Sequence, residues 1–273
     1  MPPFPLIRVK SLLFVIATPI GNLEDISQRA LDALASCDII LCEDTRRSSI
    51  LLDRYGIKSK LISYHKFKEK QALDRILEDL EMGKQLALIS DAGTPCINDP
   101  GQILVDACLN KGIQVSAIPG PCSVIQALVM SGFDTSRFQF LGFLDKKPES
   151  ELKFAMGYPG TTVAFESPER IVKTLKLIDG KRRVAVVREM TKTFEECKRG
   201  PCSEILAYYE AHPPKGEIVL VIEAGKIPDD LSLEELVQML QDLHGLTLKE
   251  AIKQAAKMKD IPKRDVYNKF HKE

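Results

Sequence analysis

The chain has 273 residues, of which 44% are hydrophobic and 28% are charged, and its formal net charge is zero. This composition is typical of a folded globular protein, and the length favours two domains over one. Zero net charge excludes a global attraction to nucleic acid, so any such binding must be local. Seven cysteines without a Cys-x-x-Cys pair, with only four histidines, predict no metal site and a reducing, cytoplasmic location.

A proline-rich tail, 1–11, precedes the first apolar run at 12–17. Basic residues followed by this run faintly resemble a signal peptide, but the run is too short and Thr-Pro-Ile-Gly at 18–21 interrupts it. We therefore interpret 12–17 as a buried strand. Because no stretch approaches the roughly 20 apolar residues of a membrane span, no membrane association is expected.

Residues 12–118 alternate strand and helix signals, which predicts an N-terminal α/β domain. Its strands are apolar runs without alternation, so they are expected to be covered on both faces in a mostly parallel sheet. The predicted strands are 12–17, 38–42, 60–63, 85–89 and 113–118. The predicted helices are 26–36, 46–54, 69–82 and 100–111.

Residues 119–225 are predicted to form a second α/β domain with a mixed sheet. Two of its strands, 183–189 and 193–199, are too close for a crossover helix and are expected to pair antiparallel. The other predicted strands are 138–143, 161–165 and 217–223. The predicted helices are 121–131, 202–211 and one capped by Ser167 and Pro168.

Residues 226–273 are predicted to form a linker and a small helical module. Two capping boxes, 232–235 and 247–250, each open a helix, and Pro262 opens a third. Residues 246–273 carry eight Lys/Arg against four Asp/Glu. From charge alone, contact with RNA and a solvated packing or dimer arm are equally good explanations.

Three loops, 17–27, 88–101 and 118–123, follow strands of the first domain at the edge where their carboxyl ends meet. Ligands of open α/β sheets bind outside such strand ends. In the second loop, Gly93 lets a ligand approach the backbone, and Asp91 and Asp99 could accept hydrogen bonds from a ribose or an amine. None of the loops is a dinucleotide-binding or Walker glycine loop, and a plain strand-to-helix turn is the alternative.

An acidic pair, Glu43 and Asp44, follows the second strand and is itself followed by Arg46 and Arg47. Such a cluster could orient a hydroxyl and hold a phosphate. Alternatively, Asp44 or Thr45 serves only as the N-cap of a helix.

The segment 46–70 holds eight Lys/Arg against two Asp/Glu. Within it, Tyr-His-Lys-Phe-Lys at 64–68 alternates rings with positive charge, a pattern that suits a phosphate backbone and an unstacked base. The alternative is an ordinary solvated loop, with His65 bound to a structural partner.

Together these motifs resemble the tetrapyrrole (corrin/porphyrin) methylase superfamily, and within it the branch that methylates the ribose 2′-hydroxyl of a cytidine in 16S ribosomal RNA. Ser-Asp-Ala-Gly-Thr-Pro at 90–95 and Thr-Pro-Ile-Gly-Asn-Leu at 18–23 are similar to the RNA branch in particular. The resemblance extends over the segments 17–27, 43–46, 90–95, 118–122, 165–167, 188–193, 215–217, 249–253 and 263–267.

The resemblance implies a homodimeric enzyme that binds S-adenosylmethionine between two α/β domains and acts on 16S rRNA of the small ribosomal subunit. It implies cofactor contacts from the strand-end loops and from the Phe-Glu-Ser segment. These residues are Pro19, Ser90, Asp91, Ala92, Gly93, Pro95, Ile97, Pro121, Cys122, Phe165, Glu166 and Ser167.

For the chemistry, we predict Glu43, Asp44 or Glu189 as the base that accepts the hydroxyl proton, with Arg46 holding the adjacent phosphate. The alternative is that no side chain acts as a base and positioning dominates. The candidate RNA contacts are Arg47, His65, Lys66, Lys68, Lys263 and Arg264.

Two departures from the family pattern concern RNA contact. Asp-Lys-Lys-Pro-Glu at 145–149 replaces a proline and an arginine-bearing stretch, and Lys68-Glu69 stands where the family has asparagine-glutamate. They leave open RNA binding without catalysis by the same fold. Within the enzyme class, methylation of a tetrapyrrole precursor is the alternative, against which the basic tail and the lysine-rich loop argue.

Overall fold

The structure, a computed structural model, describes residues 11–66, 69–225, 232–244, 246–259 and 261–270. Lys68, a predicted RNA contact, lies outside these residues. The chain divides into two units, one of 1–127 with 188–196 and one of 128–187 with 197–273. Among the described helices, none has the length and apolar character needed to span a membrane.

The first unit contains a five-stranded sheet in the order β3-β2-β4-β1-β5, and every pairing in it is parallel. Its strands are β1 (Leu12–Ile16), β2 (Ile39–Cys42), β3 (Lys60–Ser63), β4 (Gln85–Leu88) and β5 (Gln114–Ile118). Its helices are α1 (Gln28–Ser36), α2 (Thr45–Arg54), α3 (Glu69–Glu81) and α4 (Gln102–Asn110), and the next helix, α5 (Ser123–Ser131), begins in this unit and ends in the second. The predicted parallel sheet is confirmed.

Alternate residues of the three central strands, β1, β2 and β4, face two separate cores, which explains their unbroken apolar runs. In β1, Phe14 and Ile16 pack on one side with Leu34 of α1 and Leu51 of α2. On the other side, Leu13 and Val15 join the core that includes α3 and α4. The sheet is therefore buried on both faces, and only its edges and strand ends are free to bind a ligand.

The second unit contains a five-stranded sheet in the order β6-β7-β10-β8-β9. The pairing of β6 with β7 is parallel and that of β7 with β10 is antiparallel, so the sheet is mixed, as predicted. Its strands are β6 (Phe138–Phe143), β7 (Thr161–Glu166), β8 (Arg183–Arg188), β9 (Glu196–Pro201) and β10 (Ile218–Ile222). Its helices are α6 (Glu149–Gly157), α7 (Ile171–Leu175) and α8 (Cys202–Ala211).

Two details differ from the expected elements. Strand β9 begins at Glu196 rather than 193, because successive turns occupy the residues before it, with Lys192 N–H donating to Glu189 and Glu195 N–H to Lys192. Helix α6 was not predicted; its buried residues Leu152 and Ala155 join the core of the second sheet.

The C-terminal residues form the three predicted helices, α9 (Leu233–His244), α10 (Leu248–Met258) and α11 (Lys263–Phe270). Thr247 and Glu250 form a complete capping box at the start of α10. The helices enclose a core of their own, in which Leu236, Ile252 and Val266 are almost completely buried. The two sheets and the C-terminal helices confirm the predicted fold class.

Candidate cofactor and catalytic site

Two of the three strand-end loops of the first unit are joined by backbone hydrogen bonds. Thr18 N–H donates to the Gly93 carbonyl at 2.9 Å, and Gly93 N–H donates to the Thr18 carbonyl at 3.0 Å. The Thr18 hydroxyl also donates to the Ser90 carbonyl at 3.1 Å. The loop after β1 and the loop after β4 therefore form one continuous surface at this edge of the sheet.

The third loop lies against the same surface. The Thr94 hydroxyl donates to the Pro121 carbonyl at 3.1 Å. Gly93 has φ +80°, and a Cβ atom built on it would lie 3.3 Å from Ile20 Cγ2 and 3.8 Å from the Pro121 carbonyl. The structure thus brings together the predicted cofactor residues Pro19, Ser90, Asp91, Ala92, Gly93, Pro95, Pro121 and Cys122.

The loop after β4 has an unusual backbone. Cys96 and Asn98 adopt positive φ angles of 69° and 66°, which are uncommon for residues other than glycine. Such conformations persist only where surrounding structure holds them, and they cluster at functional sites. Ile97 lies between them and is 42% exposed.

Carboxylates line the neighbouring strand ends. The Asp44 N–H donates to Asp91 Oδ1 at 3.0 Å, and the Asp91 N–H donates to Glu43 Oε1 at 3.3 Å. The predicted acidic pair after β2 is therefore fastened to the predicted cofactor loop after β4. Arg47 forms a 3.5 Å ion pair with Asp91.

Burial changes the acidity of this cluster. It raises the pKa of the Glu43 carboxyl, and the charge of Asp91 adds to this effect, while the Asp91 N–H, His65 and Arg47 oppose it. Burial and the charges of Glu43 and Asp91 raise the pKa of Asp99 to about 6, although a hydrogen bond from Ser90 lowers it. A carboxyl with a raised pKa at a strand end is a candidate proton acceptor.

Asp44 has a different environment from Glu43. Its carboxylate caps α2 by accepting from the Arg46 N–H at 2.9 Å, and it binds the Arg46 guanidinium at 2.7 Å and 3.0 Å. These hydrogen bonds lower the pKa of Asp44 to about 2. The geometry supports the N-cap interpretation of Asp44 that the sequence left open.

A small cavity of about 120 Å³ opens beside this cluster. Its walls come from the loop after β1, the start of α2 and the loop after β4. They consist of Thr18, Pro19, Leu23, Arg47, Ser48, Ile50, Leu51, Ile89, Ser90 and Asp91.

The segment that contains Glu189 belongs to the first unit. Glu189 and Thr191 have φ angles of 52° and 65°, and Glu189 accepts from Lys192 Nζ at 3.0 Å. The Asn22 N–H donates to the Thr191 hydroxyl at 3.0 Å, which attaches this strained turn to the loop after β1.

The predicted cofactor residues Phe165, Glu166 and Ser167 lie in the second unit, at the end of β7. The buried Glu166 carboxylate accepts from Arg170 at 2.8 Å, from the Ser167 N–H at 2.7 Å and from Thr174. It is therefore occupied by local partners, so any ligand contact here would come from the backbone.

The predicted RNA contacts divide between two places. His65 lies close enough to Glu43 for its charge to oppose the rise in the pKa of that carboxyl. Lys66, the next residue, is exposed. Lys263 and Arg264 are exposed on the first turn of α11.

The environments of two acidic residues, Asp99 and Glu69, became evident only from the structure. Asp99 was predicted as a hydrogen-bond acceptor, but its proximity to Glu43 follows from the tertiary fold. Glu69 was not assigned a role, and its carboxylate is buried against Gly101 at the end of the loop after β4. A glutamate at a helix start is usually solvated, so the sequence carried no signal for this burial.

Comparison with known families identifies this chain as a methylase. The family model for Tetrapyrrole (Corrin/Porphyrin) Methylases matches residues 12–206, and the chain belongs to this family.

Three known proteins illustrate the relationship. Ribosomal RNA small subunit methyltransferase I of Halalkalibacterium halodurans is 40% identical, over 97% of this chain and 96% of that protein. A solved structure of diphthine synthase superposes with a TM-score of 0.63 at 14% identity, over 92% of this chain and 99% of the other. Uroporphyrin-III-C-methyltransferase of Thermus thermophilus gives a TM-score of 0.56 at 16% identity, over 85% and 98% of the two chains.

Proposed function

We propose that this protein is an S-adenosylmethionine-dependent methyltransferase that modifies the ribose 2′-hydroxyl of a cytidine in 16S rRNA of the small ribosomal subunit. The observation that carries the proposal is the joining of the loops after β1 and β4 by Thr18 and Gly93, beside the carboxylates of Glu43 and Asp91. The similarity to a ribosomal RNA methyltransferase over nearly the whole of both chains supports the RNA substrate.

The residues present fit S-adenosylmethionine. Gly93 is buried and bonded to Thr18, and a side chain on it would crowd Ile20, so the loops pack closely and leave the exposed Ala92 beside them at the surface; none of this is a phosphate-binding glycine loop. The nearby carboxylates of Asp91 and Glu43 suit a ligand that carries positive charge. When bound, S-adenosylmethionine supplies an electrophilic methyl group. We propose that Pro19, the residues 90–95 and 97, Pro121 and Cys122 hold it, with Phe165, Glu166 and Ser167 contributing backbone.

Glu43 is the best candidate for the proton acceptor. Its pKa is raised by burial, so the carboxylate is a stronger base than an exposed glutamate, and a placed base typically contributes about 10²–10⁴-fold in rate. Asp44 is a weaker candidate, because Arg46 lowers its pKa to about 2 and occupies both oxygens. Glu189 is a second candidate, because its strained turn is attached to the loop after β1.

Cations near this site would bind the RNA backbone. Arg46 and Arg47 are exposed at the start of α2, where they can reach a phosphate next to the reacting ribose. His65, Lys66 and Lys68 would extend this contact.

The C-terminal module would supply a second contact through Lys263 and Arg264. Its helix α10 also presents three exposed lysines four residues apart, Lys249, Lys253 and Lys257, beside the buried face that contains Ile252 and Ala256. Residues four apart share one face of a helix, so these lysines form a continuous positive stripe.

We also propose that the enzyme acts as a homodimer in the cytoplasm. Helix α5 exposes Ile125 by 46% and Val129 by 68%, four residues apart on one side of the helix, and a second copy of the chain would bury this pair. Sedimentation equilibrium tests the dimer, and a monomer at micromolar concentration would contradict it.

The experiment that tests the function has two parts. Calorimetry with S-adenosylhomocysteine measures cofactor-site binding. Incubation with labelled S-adenosylmethionine and small ribosomal subunits from a strain that lacks the modification measures transfer, and mapping of the labelled nucleotide identifies the position. Cofactor binding with methylation of a tetrapyrrole precursor but not of rRNA would favour a tetrapyrrole methyltransferase. RNA binding without cofactor binding would favour a non-catalytic RNA-binding protein.

A further inference from the structure

Glu69, the first residue of α3, has a buried carboxylate with two donors. Its Oε1 accepts from the Gly101 N–H at 2.7 Å and from the Tyr64 hydroxyl at 3.3 Å. The Glu69 residue is 6% exposed and Tyr64 is 0% exposed. Among the described residues, no cation lies within ion-pair distance of Glu69. A buried carboxylate without a cation depends on its hydrogen-bond donors, and here one donor is the N-cap residue of α4, where the helix dipole favours negative charge.

The bond to Gly101 fixes one end of the loop 90–101. Gly101 has φ +131°, and a Cβ atom on it would collide with the side chains of Leu88 and Cys96. The loop is held near its beginning by Thr18 and in its middle by Pro121. Glu69 is therefore the attachment at the far end of a segment that contains two strained residues, Cys96 and Asn98.

In the sequence, Glu69 also borders the basic segment 65–68, of which the structure describes His65 and Lys66. Tyr64 immediately precedes this segment and Glu69 immediately follows it, and their side chains are hydrogen-bonded to each other. The segment proposed to bind RNA and the loop proposed to bind the cofactor are thus connected through a single side chain.

We propose that Glu69 is a positioning residue that holds the cofactor loop in its binding conformation and anchors the base of the RNA-binding segment to it. The inference rests on the proposed function, because that function assigns S-adenosylmethionine to the loop 90–101 and RNA to the basic segment. A purely structural role would change the folded fraction and leave the affinity of the folded protein for its ligands unchanged.

The test measures the dissociation constant of S-adenosylhomocysteine by calorimetry, and the KM values for S-adenosylmethionine and for small subunits. A hydrogen bond to a charged group contributes about 1.5–3 kcal/mol, so Glu69→Ala is expected to weaken S-adenosylhomocysteine binding by about 10- to 150-fold. Both KM values are expected to rise. Glu69→Gln retains an acceptor oxygen and is expected to recover most of the affinity. Tyr64→Phe keeps the bond to Gly101 and is expected to stay within about threefold.

Glu81→Ala provides a matched control. Glu81 is the last residue of the same helix, and its carboxylate binds Lys111, the C-cap residue of α4, at 2.6 Å. Glu81 thus links the C-terminal ends of α3 and α4, whereas Glu69 links their N-terminal ends. This pair is half-exposed, so its loss is expected to leave cofactor affinity unchanged.

The outcomes separate the inference from the function. Lack of S-adenosylhomocysteine binding by the wild-type protein would contradict the proposed function itself. If the wild type binds and folded Glu69→Ala binds within threefold of it, or if Glu81→Ala loses as much affinity, the positioning role is wrong. Should Glu69→Ala fail to fold, Glu69→Asp, which is one methylene shorter, is compared with Glu69→Gln. Weaker S-adenosylhomocysteine binding by Glu69→Asp than by Glu69→Gln supports the positioning role, and equal affinities of the two variants overturn it.

Discussion

Asp91 and Glu43 lie at the ends of adjacent parallel strands, and the Asp91 N–H donates to Glu43 Oε1 at 3.3 Å. This bond orients the Glu43 carboxyl beside the cofactor loop, while burial raises its pKa. Proximity to the cofactor loop and increased basicity thus have a common origin in the packing of β2 against β4.

The role of Glu43 as a base can be tested in single-turnover methylation. Glu43→Gln is expected to lower the rate by about 10²–10⁴-fold, because the amide cannot accept the proton. Asp44→Asn is the matched control, since asparagine remains a good N-cap and the Asp44 carboxylate is occupied by Arg46; its rate is expected to stay within about tenfold. Glu189→Gln distinguishes the second candidate. Equal rates for the wild type and Glu43→Gln, at unchanged cofactor affinity, would refute the assignment.

Gly93→Ala should affect both stability and cofactor binding. The positive φ disfavours a side chain, by roughly 1–2 kcal/mol, and the added Cβ would fill space beside Ile20 and Pro121. Gly112→Ala is a control for strain alone, because Gly112 has φ +70° and nothing lies within 4 Å of its Cβ position. We expect both variants to lose stability in urea unfolding, Gly93→Ala the more because its Cβ would also crowd Ile20, and loss of S-adenosylhomocysteine affinity only in Gly93→Ala. Equal affinities in the two variants would place the cofactor elsewhere.

Asp99 should make stability depend on pH. Folding raises its pKa from 3.8 to about 6, so the folded state holds the proton more tightly than the unfolded state. The contribution of Asp99 to the free energy of unfolding is therefore greatest below pH 4 and decreases as pH rises towards 6. Urea unfolding of Asp99→Asn is expected to show a gain over the wild type at pH 7 that shrinks at pH 4.5. A difference independent of pH would show that Asp99 has an ordinary pKa.

The C-terminal module should contribute to RNA affinity through charge. Lys263 and Arg264 oppose the dipole at the start of α11, so replacing them with alanine should not destabilise the helix. The double variant is expected to bind small subunits more weakly, with a log–log salt dependence reduced by about 1.4–1.8 for two phosphate contacts. Lys173→Ala with Lys181→Ala, two exposed lysines of the second unit, serves as the control. An unchanged slope in the first variant would remove the module from the RNA interface.

Much of this molecule follows from local sequence. The apolar runs 12–17 and 38–42 form strands buried on both faces, because their alternate residues enter two different cores. The capping residues of α1 and α10 specify helix starts through hydrogen bonds to residues three positions away, so these starts can be recognised in the local sequence. The gathering of strand-end loops at one edge also followed from the alternation of strands and helices.

Only the tertiary structure decided how the charged residues differ. Asp44 and Glu43 are neighbours in sequence, yet Arg46 lowers the pKa of one and burial beside Asp91 raises that of the other. Glu69 and Glu81 begin and end the same helix, yet one is buried against Gly101 and the other remains half-exposed at the surface. Desolvation and hydrogen bonding depend on partners far along the chain, 32 residues away for Glu69 and 48 for Glu43, and no local pattern encodes them.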